Sequence, residues 1–285
     1  MIDPEFLDEL DRFQTGRKRQ VQDRFPGEEE SPEVGEGLTF SDYRRYTPGD
    51  DTRLIDWKLY ARTRELYVKV FEEERNFTVH VLVDTSESMD FGDEADDKFD
   101  RAAKLGLGFC YLTADEGNDF RFSTFSETYD RIDDGSSSKG EVLELVERCN
   151  EVDPAGEADF EEVFETYAET IRSRALILIA SDFLGDVDGI ETGLSALSRN
   201  RLVLGHVIDP DEWELPVRGD TIFDAMEQEF SRRAYVSGRL AQEYHTRLEA
   251  HVNDIAERSE DLLARHELVR TDEEFFDAFS RVWVE

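Results

Sequence analysis

Asp84, Ser86 and Ser88 stand at alternate positions in "DTSES", directly after the apolar run "VHVLV" at 79–83. In a locally extended loop, side chains two residues apart point the same way, so one carboxylate and two hydroxyls would converge. Hard oxygen donors of that kind suit Mg²⁺, with Mn²⁺ or Ca²⁺ as alternatives. A second apolar run, "ALILIAS", ends in Asp182. Mg²⁺ is usually held by one or two carboxylates plus waters, so Asp182 would add the second carboxylate directly or through water. A plainer reading is that Asp84 and the serines only cap the turn after the strand.

Such a cluster needs a rigid frame. The uninterrupted Val/Leu/Ile runs at 79–83, 175–180 and 201–208 alternate with helical patterns. They predict an α/β fold, a doubly wound and mostly parallel sheet covered on both faces. Ligands of open parallel sheets sit outside the carboxyl ends of the strands, where Asp84 and Asp182 fall. Helices are expected at 97–114, 138–149, 159–172, 187–199 and 239–265. A capping box of Thr271 and Glu274 would open a last one at 272–283. The stripe Leu240, Tyr244, Leu248, Val252, Ile255 and Leu262 reads as core. Further strands are expected at 119–126, 128–132 and 267–271. "ELYVKVF" and "FTVHVLVD" read as an antiparallel hairpin. "DDGSSSKG", 133–140, reads as a surface loop, and 210–237 as a β-rich insertion. Residues 1–13 would form an amphipathic helix with Phe6, Leu7, Leu10 and Phe13 on one side, and 14–36 a polar arm. The chain thus divides into 1–36, an Arg-rich segment 37–76 packed on the core, and a main domain 77–285.

The 285 residues are 39% hydrophobic, enough for a sizeable core, and carry a formal net charge of −36. The basic residues are 6 Lys against 27 Arg. A chain this acidic repels nucleic acid and anionic membranes at low salt. An acidic, lysine-poor surface points to the salt-rich cytoplasm of a halophilic archaeon, since at molar salt the Debye length is only ~3 Å. No apolar run approaches the ~20 residues of a membrane helix. The opening "MIDPEFLDELDRF" lacks the apolar segment of a secretory signal, so a cytoplasmic location is expected. Cys110 and Cys149 read as small buried hydrophobes rather than a disulfide or zinc pair. No nucleotide-binding G-x-x-x-x-G-K-[ST] loop, H-E-x-x-H or G-x-S-x-G occurs, and His80, His206, His245, His251 and His266 show no metal spacing. His80 and His206, both in strands, read as satisfied core residues.

Residues 37–76 hold 8 acidic and 8 basic side chains, a neutral stretch in an acidic chain. Arg44, Arg45, Arg53, Arg62 and Arg64 concentrate here. One account pairs them internally with Asp50, Asp51 and Asp56. The other makes them a patch for an acidic partner segment or a phosphate. Pro48-Gly49 marks a turn, and Asp50 or Asp51 could cap a short helix carrying Leu54, Trp57 and Leu59.

"VHVLVDTSESM", the later "ALILIASDF" and the strand–helix alternation resemble a von Willebrand factor A-type domain with its metal-ion-dependent adhesion site. The resemblance implies a metal on Asp84, Ser86 and Ser88, supported by Asp182, with one position open for a partner's carboxylate. A second loop should supply a Thr; the nearest residue in "PAGEADF" is Ala158, which cannot ligate, with Glu157 or Asp159 beside it. "GEGLTFSDYRRYTPGDDTRLIDWKLYARTRELYVKVFEEE" resembles the domain of unknown function 58 family, whose members resemble partners of MoxR-type AAA+ ATPases. The expected function is therefore a non-enzymatic, metal-dependent protein-binding module, an adaptor for such an ATPase or its client. One alternative is a divalent-metal phosphohydrolase using Asp84 as nucleophile. Phosphatases of the haloacid dehalogenase type carry D-x-D after the first strand, and Ser86 stands in place of its second carboxylate. Another is a scaffold with a vestigial metal site and a binding Arg-rich segment.

Overall fold

The computed structural model describes residues 1–13, 38–47, 55–73, 78–92, 97–215, 219–224 and 231–283. The chain divides into two compact units, Met1–Gln20 with Phe77–Glu285, and Val21–Asn76.

The larger unit is built on a six-stranded sheet. Its strands are β3 (Thr78–Asp84), β4 (Asp119–Phe125), β5 (Tyr129–Arg131), β6 (Leu176–Ser181), β7 (Arg201–Ile208) and β10 (Arg265–Arg270). Their spatial order is β10-β7-β6-β3-β4-β5. Every pair is parallel except β4–β5, a short antiparallel edge. This is the doubly wound arrangement expected from the apolar runs, with the chain leaving β3 toward one edge and β6 toward the other.

The period-2 alternation of each strand sorts its side chains onto two faces. Val79, Val81, Val83, Leu178, Ala180, Val203 and Val207 face one core cluster. Helices α3 (Lys98–Asp115), α4 (Lys139–Asn150) and α9 (Phe275–Trp283) cover that face. Helix α1 (5–13) joins them, burying Leu7 and Leu10 in the same cluster. Its Phe6 and Phe13 rings lie 6.1 Å from Phe275 and 5.7 Å from both Phe276 and Phe279. Leu82, Ile177, Ile179, Leu202 and Leu204 face the second cluster. Helices α5 (Phe160–Thr170), α6 (Val187–Leu197) and α8 (Gly238–Asp261) lie there. On α8 the predicted stripe is buried at Leu248, Val252 and Ile255, whereas Leu240 is exposed. Cys110 and Cys149 are buried free thiols.

The insertion between β7 and β10 opens with the one-turn helix α7 (Pro210–Glu214) and continues into the antiparallel pair β8 (Gly219–Asp224) and β9 (Ser231–Val236). Among the described residues no helix is long and apolar enough to cross a membrane.

Three local expectations differ. The hairpin joining "ELYVKVF" to β3 does not form: β2 (Tyr67–Glu73) pairs antiparallel with β1 (Leu38–Arg45), and both edges of β3 are taken by β4 and β6. Thr271 does not cap α9. Its hydroxyl donates to Asp209 Oδ2 at 2.6 Å, and the helix starts at Phe275. The 133–140 loop is not wholly superficial. Asp133 is buried, accepting from the Phe122 amide and from Arg131.

The smaller unit holds β1, β2 and α2 (Trp57–Thr63). Asp56 caps α2, accepting from the Leu59 amide at 2.8 Å. Pro48, Gly49, Asp50, Asp51, Arg53 and Leu54 lie outside the described residues.

Candidate metal centre

Asp84 ends β3 and is wholly buried. Its Oδ1 accepts from the Ser86 amide at 2.8 Å, a bond that fixes the turn. The loop then runs through Ser86 into a single 3-10 turn, Glu87–Met89, which places Ser88 next to Ser86. Their hydroxyl oxygens are 3.1 Å apart. Asp182 follows β6, the strand beside β3, and accepts from the Leu184 amide at 3.0 Å. The structure therefore brings all four predicted residues to the point where β3 and β6 send the chain to opposite edges. Open α/β sheets place their ligands there.

The loop before α5 lies against the same turn. The Ala155 amide donates to the Thr85 carbonyl at 2.8 Å, and the Glu87 amide to the Gly156 carbonyl at 2.9 Å. Gly156 has φ +79, a left-handed conformation in which a side chain would be strained. The second loop is thus in place without a hydroxyl: Ala158 packs against the core instead.

Three further residues complete the centre, and sequence reasoning missed them. Ser181 donates its hydroxyl to Asp84 Oδ2 at 2.5 Å and accepts from the Phe183 amide at 2.8 Å. Lys98, in the first turn of α3, is completely buried. Its ammonium donates to Asp182 Oδ2 at 2.7 Å and to both Glu212 oxygens at 3.0 and 3.1 Å. Glu212 comes from α7. A local clue to Lys98 exists, since a cation in a helix's first turn opposes the helix dipole and needs another reason to be there. Phe183 follows Asp182 with φ 48, rare for a bulky residue, and its carbonyl accepts from His251 Nε2 at 2.8 Å. His80 Nδ1 lies 2.9 Å from the Tyr167 hydroxyl and His206 Nδ1 2.9 Å from His266 Nε2, so both strand histidines have core partners.

The charges are unevenly matched. Burial and the neighbouring Asp182 push the Asp84 carboxyl up to about 7, against hydrogen bonds from Ser181 and Ser86 that favour its charge. Burial also acts against the Asp182 charge, but the Lys98 ammonium outweighs it and holds Asp182 below its ordinary range. Glu212 stays raised by burial despite sharing that ammonium. The Lys98 ammonium thus serves Asp182 and Glu212, and the deficit falls on the Asp84 side.

Among the described residues no three His, Cys, Asp or Glu side chains form a metal cage. A cation here would rest on carboxylates and hydroxyls together, and that donor set fits Mg²⁺. Ligands bonded at 2.0–2.1 Å in an octahedron are about 3 Å apart, the spacing of the two serine hydroxyls. Asp84, Ser86 and Ser88 would hold the ion and Asp182 would support it.

Residues 42–254 match the family described as "Protein of unknown function DUF58", about three-quarters of the chain. The chain belongs to the DUF58 family. The uncharacterized protein Rv1480 of Mycobacterium tuberculosis is 25% identical over 225 residues, 78% of this chain and 71% of that one. Among solved structures, the conserved hypothetical protein BatB of Bacteroides thetaiotaomicron is similar at 13% identity and TM-score 0.44, over 71% of this chain and 93% of that one. A von Willebrand factor type A protein of Catenulispora acidiphila is similar at 10% identity and TM-score 0.40, over 78% of this chain and 46% of that one.

The arginines of this DUF58 chain are differently disposed. Arg45 pairs with Glu65 at 2.9 Å and both side chains are largely exposed, a pair of little energetic weight. Arg44 lies on β1, Arg62 on α2 and Arg64 at its C-cap; Arg62 and Arg64 are exposed, and Arg53 is outside the described residues. Beside Arg62 and Arg64, Trp57 is 60% and Tyr60 38% exposed, with ring centroids 6.2 Å apart.

Proposed function

We propose that this DUF58 chain is a non-enzymatic, metal-dependent protein-binding module. Its cofactor is Mg²⁺, with Mn²⁺ or Ca²⁺ as substitutes, on Asp84, Ser86 and Ser88 with Asp182 behind. A carboxylate from the partner completes the site. The observation that carries the reading is the pair of hydroxyls 3.1 Å apart beside two buried carboxylates at the switch point of the sheet. A cation there supplies the charge Asp84 lacks and gives one partner carboxylate a directional bond to a surface that otherwise repels acids. The partner we assign is a MoxR-type AAA+ ATPase or its client, on the sequence resemblance of residues 35–74, in a salt-rich cytoplasm. A non-enzymatic role agrees with Ser86 standing where an acid/base carboxylate would be needed.

The test is Mg²⁺ titration by calorimetry at molar KCl, followed by capture from a salt-rich lysate with and without chelator. Wild type is expected to bind and Asp84→Ala to lose binding; equal binding by both would refute the metal assignment. Recovery of no ATPase, or no effect of chelator, counts against the adaptor role. A second reading, binding through the Arg-rich segment, is favoured by the exposed Trp57–Tyr60 pair beside Arg62 and Arg64. Capture that persists in chelator but is lost in Trp57→Ala would support it.

A further inference from the structure

The ammonium of Lys98 lies 2.7 Å from Asp182 Oδ2, on a carboxylate that the metal reading also requires. We propose that Lys98 is an internal cation that competes with the divalent ion for Asp182, and that Glu212 sets the terms by drawing Lys98 toward α7. The inference rests on the metal reading of the same centre.

Three observations lead to it. First, the lysine is wholly buried and its ammonium touches two carboxylates from distant parts of the chain, Asp182 at the sheet and Glu212 on α7. A charge so enclosed is screened little by salt, so its effect on a neighbouring cation survives at molar KCl. Second, both Asp182 oxygens are engaged, Oδ1 by the Leu184 amide and Oδ2 by Lys98, so a cation drawing on Asp182 must share it with the ammonium. Third, Lys98 has somewhere to go. Glu212 already accepts through both oxygens at 3.0 and 3.1 Å, and it can keep the ammonium when Asp182 turns to a metal.

The arrangement also gives α7 a stake in occupancy. This one-turn helix is fastened by Glu212 to Lys98 and by the Trp213 carbonyl to His245 at 3.1 Å. A divalent ion that takes over Asp182 shifts Lys98 toward Glu212 and tightens the first of those fastenings.

Two substitutions are expected to act with opposite sign. Lys98→Met removes the competitor, and Mg²⁺ affinity should rise by at least about tenfold. Glu212→Gln leaves Lys98 to Asp182 alone, and affinity should fall several-fold. Calorimetry at molar KCl reads both, and hydrogen exchange of residues 210–215 in wild type reads the coupling, with protection expected to rise on adding Mg²⁺. Lys98→Met leaves two carboxylates without their cation and can compromise folding; Glu212→Gln then decides alone. A fall in affinity in both variants would make Lys98 a support for Asp182 and overturn the competition. Wild-type binding unchanged in both would overturn it while leaving the metal reading intact. No Mg²⁺ binding by wild type or either variant would remove both. Binding by Lys98→Met alone would place the competition so far toward the lysine that it excludes the ion.

Discussion

Replacing Asp84 by Asn should stabilise the metal-free protein, although Asp84 is a fully buried, doubly hydrogen-bonded residue. The substitution keeps shape. The amide oxygen can accept from the Ser86 amide as Oδ1 does, and the amide nitrogen can donate to the Ser181 hydroxyl that now bonds Oδ2. What changes is the charge. In the folded chain the carboxyl ionises near 7 rather than at its ordinary 3.8. At about 1.4 kcal/mol per pH unit, keeping it charged above pH 7 costs at most about 4 kcal/mol. The sign follows from proton binding. Below pH 3.8 the folded and unfolded chains are both protonated and nothing is lost. As pH rises from 3.8 toward 7 the unfolded chain releases its proton first, so wild-type stability falls, and above 7 the loss is complete. Asp84→Asn escapes that loss. In chelator at pH 8 it should be more stable than wild type by about 2–4 kcal/mol, several degrees in Tm for a chain of this size. The gap should close as the pH is lowered to 4. Added Mg²⁺ should narrow the gap at 100 times its Kd, where ligand stabilises by about 2.7 kcal/mol, and reverse the order at about 1,000 times its Kd, where it stabilises by about 4.1 kcal/mol, since only wild type binds it. Urea unfolding at molar KCl across pH 4–8, with chelator and with Mg²⁺, measures each arm. An Asn variant no more stable than wild type in chelator at pH 8, or a gap that ignores pH, would falsify the claim that Asp84 carries an uncompensated charge.

Two structural predictions are independent of any metal. A Cβ on Gly193 of α6 would lie 2.3 Å from the Phe160 carbonyl oxygen, so Gly193→Ala must push α5 and α6 apart; a loss of about 2–3 kcal/mol is expected in denaturant unfolding, and an unchanged midpoint would contradict the contact. The buried Glu141 carboxylate gathers the amides of Asp134, Gly135 (3.1 Å) and Ser137 (2.7 Å) and the Ser136 hydroxyl (2.8 Å). Glu141→Ala should cost about 2–4 kcal/mol and expose 134–137 to hydrogen exchange, whereas retained protection there would mean the loop holds itself.

The sheet was legible because buried parallel strands read as plain apolar runs, and an Asp ending such a run marks its own place at the ligand edge. Asp84, Ser86, Ser88 and Asp182 follow from that logic alone. Pairing was less legible. The alternation of "ELYVKVF" identifies a strand but not its partner, and β2 took β1 rather than β3 because the sheet already occupied both edges of β3. Thr271 had the spacing of a cap, yet its hydroxyl served Asp209, a residue 62 positions away. Lys98 and Glu212 were hidden for the same reason, since the ammonium meets its carboxylates across 84 and 114 residues of chain. Local pattern encodes which groups are present at a strand end. Only the closed fold says which of them neutralise one another.

The grouping of Met1–Gln20 with Phe77–Glu285 has a topological consequence. In chain order the smaller unit is an insertion, with the segments before and after it in one body. What ties its first end is helix α1, through Leu7 and Leu10 and the contacts of Phe6 and Phe13 with α9. Closure entropy grows only by about 0.6 kcal/mol for each doubling of a loop, so the excursion can lengthen or shorten with little effect on the body. Loosen α1 from α9 and the larger unit loses Leu7 and Leu10 from its core, so segments on either side of the excursion in sequence complete one core between them.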